Sequence, residues 1–262
     1  MTREEIHNKI FEHFKSQVDW IEKNPNQVQQ FQMGQIYSLF PHEQNEPHWE
    51  HEKINSIIRE IVQELINAGF LYPGTTDQNS SYPWLTITQY GKEAFLEEDW
   101  LPYDPEGYIK ALKIKIPTID EITLTYIGEA IAAYNRRNLL SATLTIGIAS
   151  ENLMLLLIEA YTDWITSATR KASFKKKIEN RFILTQYKVF KKEFANDIKS
   201  FPKELQIDWE TYLDGIFNFI RLNRNDAGHP TGKQFDVKVV YASLQVFSEY
   251  ALFIFKLIKH LK

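Results

Sequence analysis

Apolar residues recur along most of this chain at steps of three and four. Ile6, Ile10, Phe14, Val18 and Ile21 follow that spacing and predict a helix over Glu4 to Lys23, stopped by Asn24-Pro25-Asn26. A short helix is expected over Gly34 to Phe40, then a polar loop from His42 to His51 flanked by Pro41 and containing Pro47. Ile54, Ile57, Ile58, Ile61, Val62, Leu65 and Ile66 form an unbroken apolar stripe that Gly69 closes. The period then changes. Phe70-Leu71-Tyr72, a Pro73-Gly74 turn and a polar loop lead to Trp84-Leu85-Thr86-Ile87-Thr88, which alternates as a strand does, and Gly91 opens another short helix.

Prolines 102, 105 and 117 punctuate Trp100 to Thr118, which reads as a linker over about residues 100–119. Thr118-Ile119-Asp120-Glu121 has the form of a capping box that starts the next helix. Ile122, Tyr126, Ile127, Ala130, Ile131 and Tyr134 give that helix one apolar face. Leu139 to Tyr161 is apolar nearly all round, so it is expected at the centre of a bundle. A long basic helix is expected over much of Phe174 to Ser200, and an amphipathic one over Trp209 to Asn223. Val237, Val240, Leu244, Phe247, Ala251, Ile254 and Ile258 make a regular bundle seam. The expected fold is mainly α: a first domain over residues 1–99 with a small β-ribbon, and a helical bundle over 120–262.

Composition adds three points. The 262 residues include no cysteine, which excludes disulfides, thiolate metal sites and cysteine nucleophiles, and suits a cytoplasmic setting. No signal peptide is visible, and Ser150-Glu151-Asn152 interrupts the most apolar stretch, so a membrane span is not expected. The net charge of −4 hides an asymmetry. Residues 1–108 hold 7 Lys/Arg against 18 Asp/Glu, and residues 109–262 hold 23 against 16. A nucleic acid would prefer the second part.

"LINAGFLYPG" followed by "WLTITQYGKEAF" resembles the winged helix-turn-helix pattern over about residues 30–98, in which Ile87-Thr88-x-x-Gly91 follows the wing. The helix in the recognition position exposes Arg59, Glu60, Gln63, Glu64 and Asn67. Its carboxylates would face phosphates, so a structural or protein-contact role is expected ahead of DNA binding.

The stretch "RLNRNDAGHP", Arg221 to Pro230, raises the chemical question. Asn, Asp, Gly and Pro are ordinary at a helix end, and an Arg in the last turn suits the helix dipole. Arg224 and His229 are also a permanent cation and an acid/base at neutral pH. Arg224-Asn225-Asp226-Ala227-Gly228-His229, at the end of one bundle helix with another following, resembles the signature of HEPN (higher eukaryotes and prokaryotes nucleotide-binding) domains. Ser141 to Tyr161 resembles that family's central helix, rich in small residues. The resemblance covers about residues 120–262. It implies a metal-independent endoribonuclease of toxin or antiviral-defence type, usually a homodimer, with RNA as substrate. His229 would then be the base or acid and Arg224 the clamp on phosphate. Asn225, Asp226 and Glu151 would support them. No cofactor is implied. A protein partner or regulator would act at the first domain. The competing expectation is a non-catalytic bundle that dimerises or holds a nucleotide.

Lys171, Lys175, Lys176, Lys177 and Arg181, with Phe174, Phe182 and Tyr187 interleaved, could follow an RNA backbone and stack bases. A solvated helix face with core aromatics accounts for the same pattern. His42, His48 and His51 lie among Glu43, Glu46, Glu50 and Glu52 but match no metal-ligand motif, and no phosphate loop or G-x-S-x-G elbow occurs.

Overall fold

The computed structural model describes residues 1–27, 31–42, 47–96, 105–207, 209–228 and 234–262. The chain divides into two compact units, Met1–Tyr103 and Asp104–Lys262. It is mainly helical, with one small sheet.

The first unit is built from α1 (Arg3–Lys23), β1 (Phe31–Gln32), α2 (Met33–Tyr37), α3 (His48–Asn67), β2 (Leu71–Pro73), β3 (Trp84–Ile87) and α4 (Gln89–Leu96). The strands pair antiparallel in the order β1-β3-β2. Thr2 starts α1 with a reciprocal capping box to Glu5. At the end of α3, Gly69 takes φ +78°, with Gly69 N–H donating to the Ile66 carbonyl and Phe70 N–H to that of Leu65. This is a Schellman stop, which needs a left-handed residue that glycine adopts at least cost. It drops Phe70 into a ring cluster with Phe14, Phe31 and Phe95, all buried.

The Thr88-x-x-Gly91 step acquires a physical reason. Thr88 Oγ1 donates to the Gly69 carbonyl at 2.7 Å and accepts from Gly91 N–H at 2.8 Å, so one hydroxyl ties α4 to the end of α3. Gly91 lets α4 press against the Phe70 backbone, since a Cβ there would stand 2.2 Å from the Phe70 carbonyl oxygen. Two features of this unit differ from expectation. Strand β1 was not legible, being two residues long. His48 to His51 is the first turn of α3, because Pro47 sits at its N-cap with extended backbone and lets the helix begin there.

The second unit contains α5 (Pro105–Lys115), α6 (Glu121–Asn135), α7 (Leu139–Trp164), α8 (Ala168–Ile178), α9 (Ile183–Asp197), a 3₁₀ turn (Ile198–Ser200), α10 (Lys203–Gln206), a π-helical turn (Thr211–Ile216), α11 (Phe217–Gly228) and α12 (Val237–Leu261). Helix α7 is the axis, packed by α6, α11 and α12 and flanked by α8 and α9. Both α7 and α12 are long and apolar enough to cross a membrane by length and composition, and both bury their core faces within the bundle.

Four expectations change here. Much of the supposed linker is helix α5. Its Tyr108 and Leu112 are buried, as is Ile116 just past its end, and the Tyr108 hydroxyl donates to the Leu244 carbonyl at 2.6 Å. The cap of α6 is Asp120, which accepts from Thr123 N–H at 2.9 Å, so the helix starts later than a box on Thr118 would place it. The single long basic helix is two, because Asn180 at φ +54° breaks it into α8 and α9. The helix expected to end at Asn223 begins as a π turn and runs through Gly228. In that π turn, Asp214 accepts from Tyr187 and Lys191 of α9. A second clamp joins α7, α8 and α9: Tyr161 donates to Asp197 at 2.5 Å, and Arg170 donates to both.

Gly91→Ala is expected to destabilise the first unit by about 1–3 kcal/mol, the usual range for forcing an atom into a packed contact. Urea denaturation followed by circular dichroism reads this, and an unchanged midpoint would refute the close approach of α4.

Candidate functional site

The described part of the site lies where α11 crosses α7. On α7, Gly147 and Glu151 are four residues apart and share one face. On α11, Arg221 and Arg224 are three apart and share another. Leu144 lies against Gly228, Gly147 against Arg224, and Glu151 near Arg224 and Arg221. Rising numbers on one helix meet falling numbers on the other, so the two run antiparallel.

The missing side chain at Gly147 makes room for Arg224. A Cβ at Gly147 would stand 2.2 Å from Arg224 Cγ and 2.4 Å from its Cβ. The arginine stem therefore lies across the α7 backbone, and its head reaches Glu151, with Nη2 3.7 Å from Oε2. The Arg224 side chain is 35% exposed and that of Glu151 16%. The remaining contacts of the guanidinium are loose. Nη1 lies 3.4 Å from Asn225 Oδ1, and the buried Nε finds no acceptor among the described residues. An arginine offers five N–H donors in a fixed fork, and the four on the terminal nitrogens are engaged here only by these two loose contacts, to Glu151 and Asn225. Arg221 makes one contact of similar length, with Nε 3.4 Å from Asn218 Oδ1.

Glu151 sits at a three-helix junction. Tyr250 of α12 donates to the Ser150 carbonyl at 3.2 Å. Burial pushes the Glu151 carboxyl above its ordinary range, and the positive charges of Arg224 and then Arg221 offset part of that rise. Burial, the neighbouring carboxylate and an oppositely acting hydrogen bond leave the Tyr250 phenol strongly raised, hence neutral.

Of the residues singled out in the sequence, Arg224, Asn225, Asp226 and Glu151 are brought together around this crossing or lie on its last turn. His229 lies outside the described residues. Gly147 and Arg221 escaped assignment. Their signal was a glycine four residues before Glu151 and an arginine three before Arg224, meaningful only once the two helices are paired.

The basic cluster lies on α8 and on the elbow that leads from it to α9. Lys171 pairs with Asp163 at 3.4 Å and Lys177 with Glu193 at 2.9 Å. Lys175, Lys176 and Arg181 are exposed, with no ion pair among the described residues. Two of the interleaved aromatics, Phe174 and Tyr187, belong to the core, and Phe182 does not. In the first unit, the rings of His42 and His51 approach to 4.7 Å between centroids, and Glu43 and Glu46 lie outside the described residues. Among the described residues no group of three or more His, Cys, Asp or Glu could hold a metal ion.

The chain matches no protein-family model, no curated protein and no solved structure.

Glu151 fixes the sign of a pH effect. Below its ordinary value of 4.5 the carboxyl is protonated in both folded and unfolded chains. As pH rises through that value the unfolded chain ionises first, so folding loses stability until the raised folded carboxyl has ionised too. Glu151→Gln removes this term. From about pH 4 upward, thermal melts of the variant and the parent protein should diverge in the variant's favour and then run parallel. Divergence in the opposite direction would mean that Arg224 and Arg221 outweigh burial.

Proposed function

We propose that this protein is a metal-independent endoribonuclease of toxin or defence type. In this reading residues 120–262 form a HEPN-like bundle, and the first unit is a winged-helix-like module. The observation that carries it is the seating of Arg224. Its stem is held over Gly147, its head is steered by Glu151, and its terminal nitrogens are only loosely engaged, five residues before His229 in the sequence. Such seating of a guanidinium is what a phosphate clamp needs.

The chemistry balances without a cofactor. Neutral His229 takes the proton of a ribose 2′-OH, and the 2′-oxygen attacks phosphorus. The new P–O bond forms as the P–O5′ bond breaks, leaving a 2′,3′-cyclic phosphate and a 5′-hydroxyl. Arg224 stabilises the crowded phosphorane through charge-assisted hydrogen bonds. The leaving 5′-oxygen needs a proton, and a second His229 from a twofold-related copy would supply it. The protein would then act as a cytoplasmic homodimer, with Asn225 as a further phosphate contact.

The alternative is a non-catalytic bundle that dimerises or holds a nucleotide, with the first unit contacting a protein. One observation favours such a contact. Arg3 bonds Glu60 at 3.1 Å and Glu64 at 2.7 Å, which occupies the acidic face of α3, while Trp49 on the same helix is 67% exposed. An exposed tryptophan suits a protein partner better than a DNA groove.

Purified protein mixed with labelled RNA in EDTA should cleave it, with cyclic-phosphate ends. His229→Ala should lower the rate by about 10²–10⁴-fold. Arg224→Lys should also lower it strongly, since an ammonium cannot reproduce the planar fork. Gly147→Ala should reduce cleavage by displacing the Arg224 stem. Equal cleavage by His229→Ala and the parent protein would leave the non-catalytic reading.

A further inference from the structure

Phe182 breaks two local rules at once. It stands at the N-cap of α9, where Ser, Thr, Asp or Asn would bond the first free N–H groups, and it makes no such bond. It is also 90% exposed, although the core of this unit is rich in buried phenylalanine. A large ring held in water at a position that favours a small polar residue serves neither helix start nor core.

Its surroundings give the ring a context. Asn180 at φ +54° turns the chain out of α8, and Arg181 and Phe182 follow as exposed neighbours. The Arg181 carbonyl is held by the Gln186 side-chain amide at 2.8 Å, which fixes the elbow. From Phe182 the exposed positions Thr185, Lys188, Lys192, Asn196 and Lys199 step by 3, 3, 4, 4 and 3. They form one face of α9 and its 3₁₀ continuation, about 26 Å long at 1.5 Å per residue. No carboxylate lies on it. Glu193 and Asp197 are on the other side, occupied by Lys177 and Arg170. Lys188, Lys192 and Lys199 have no ion pair among the described residues. The basic residues of this region thus sort by geometry: Arg170, Lys171, Lys177 and Lys191 hold the helices together, and the stripe lysines with Arg181 remain available.

We propose that this stripe binds single-stranded RNA, with the Phe182 ring stacked on an unpaired base and Arg181, Lys188, Lys192 and Lys199 along the backbone phosphates. Aromatic stacking at one end of a positive track is how unpaired strands are held without reading their sequence. A duplex keeps its bases stacked inside and offers the ring nothing comparable. A lipid surface demands a broad apolar face, and this stripe has one apolar ring among polar and charged residues. The proposal deepens the ribonuclease reading by adding a substrate-holding surface away from Arg224, and its test does not depend on cleavage.

The test measures binding of a short unpaired uridine-rich RNA by fluorescence anisotropy in EDTA, using the full chain carrying His229→Ala so that the probe stays intact. In that background Phe182→Ala should weaken binding about tenfold or more, and Phe182→Trp should preserve it. Phe182→Leu should behave like alanine, because leucine keeps the apolar bulk and loses the ring face. Lys188→Gln with Lys192→Gln should lower the slope of log affinity against log salt by about 1.4. Unchanged affinity and slope in these variants would overturn the proposal. So would full binding by Phe182→Leu, or a Phe182→Ala defect confined to phosphatidylserine vesicles or to an acidic protein. Loss of cleavage by the parent protein with stripe-dependent binding intact would instead remove only the nuclease reading.

Discussion

Helix α7 is apolar on almost every side, and water must be kept from most of it. That demand organises the second unit. Helices α6, α11 and α12 cover most of its circumference, with α8 and α9 closing the side near Tyr161. The three polar residues that interrupt the run then become fixed points. The Ser150 carbonyl accepts from Tyr250 of α12, Glu151 pairs with Arg224 of α11, and Asn152 donates to Asp120 and Thr123 of α6, each at 2.9 Å. Three successive residues thus address three different helices, Ser150 through its main-chain carbonyl and Glu151 and Asn152 through their side chains. The polar interruption sets how the covering helices are aligned.

Glycine 147 belongs to the same logic. A helix that must be covered closely can admit an arginine stem only where it carries no side chain. The space left there is filled by Arg224, which brings a permanent cation to a half-buried surface and supplies a counter-charge to a carboxyl that burial has made reluctant to ionise. The pairing is long and partly exposed, so it orients the guanidinium without exhausting it. This is the condition under which a structural contact and a phosphate-binding role coexist on one residue.

Charge is distributed by the same division between holding and offering. In the first unit Arg3 is committed to the carboxylates of α3. On α8 and α9, four cations are committed to Asp163, Glu193, Asp197 and Asp214, and those on the outer face are not. A count of lysines along the chain mixes the two kinds. Only the uncommitted ones bear on partners, because a cation already neutralised releases little counterion when an anion arrives.

Much of the architecture could be read from periodicity. Helices α1, α3, α7 and α12 follow from apolar spacing, since a stripe at 3.6 residues has one stable way to be buried. Gly69 and Thr88-x-x-Gly91 were legible because each acts on atoms a few residues away. Strand β1 was not, because two residues carry no period. Helix α5 was misread as linker because a proline can open a helix, as Pro105 does, and Pro117 lies beyond its end, and the α8–α9 break was missed because positive φ is one of many backbone states an Asn can take. For the candidate site, the residue types at Arg224 and Glu151 were visible along the chain. That Gly147 seats the arginine, that Phe174 and Tyr187 are core, and that Phe182 alone of the three stands in water were decided by the tertiary structure. Local rules determine which helices form. Which side chains meet, and which are left facing solvent, depends on atoms far apart in sequence that only packing around α7 brings together.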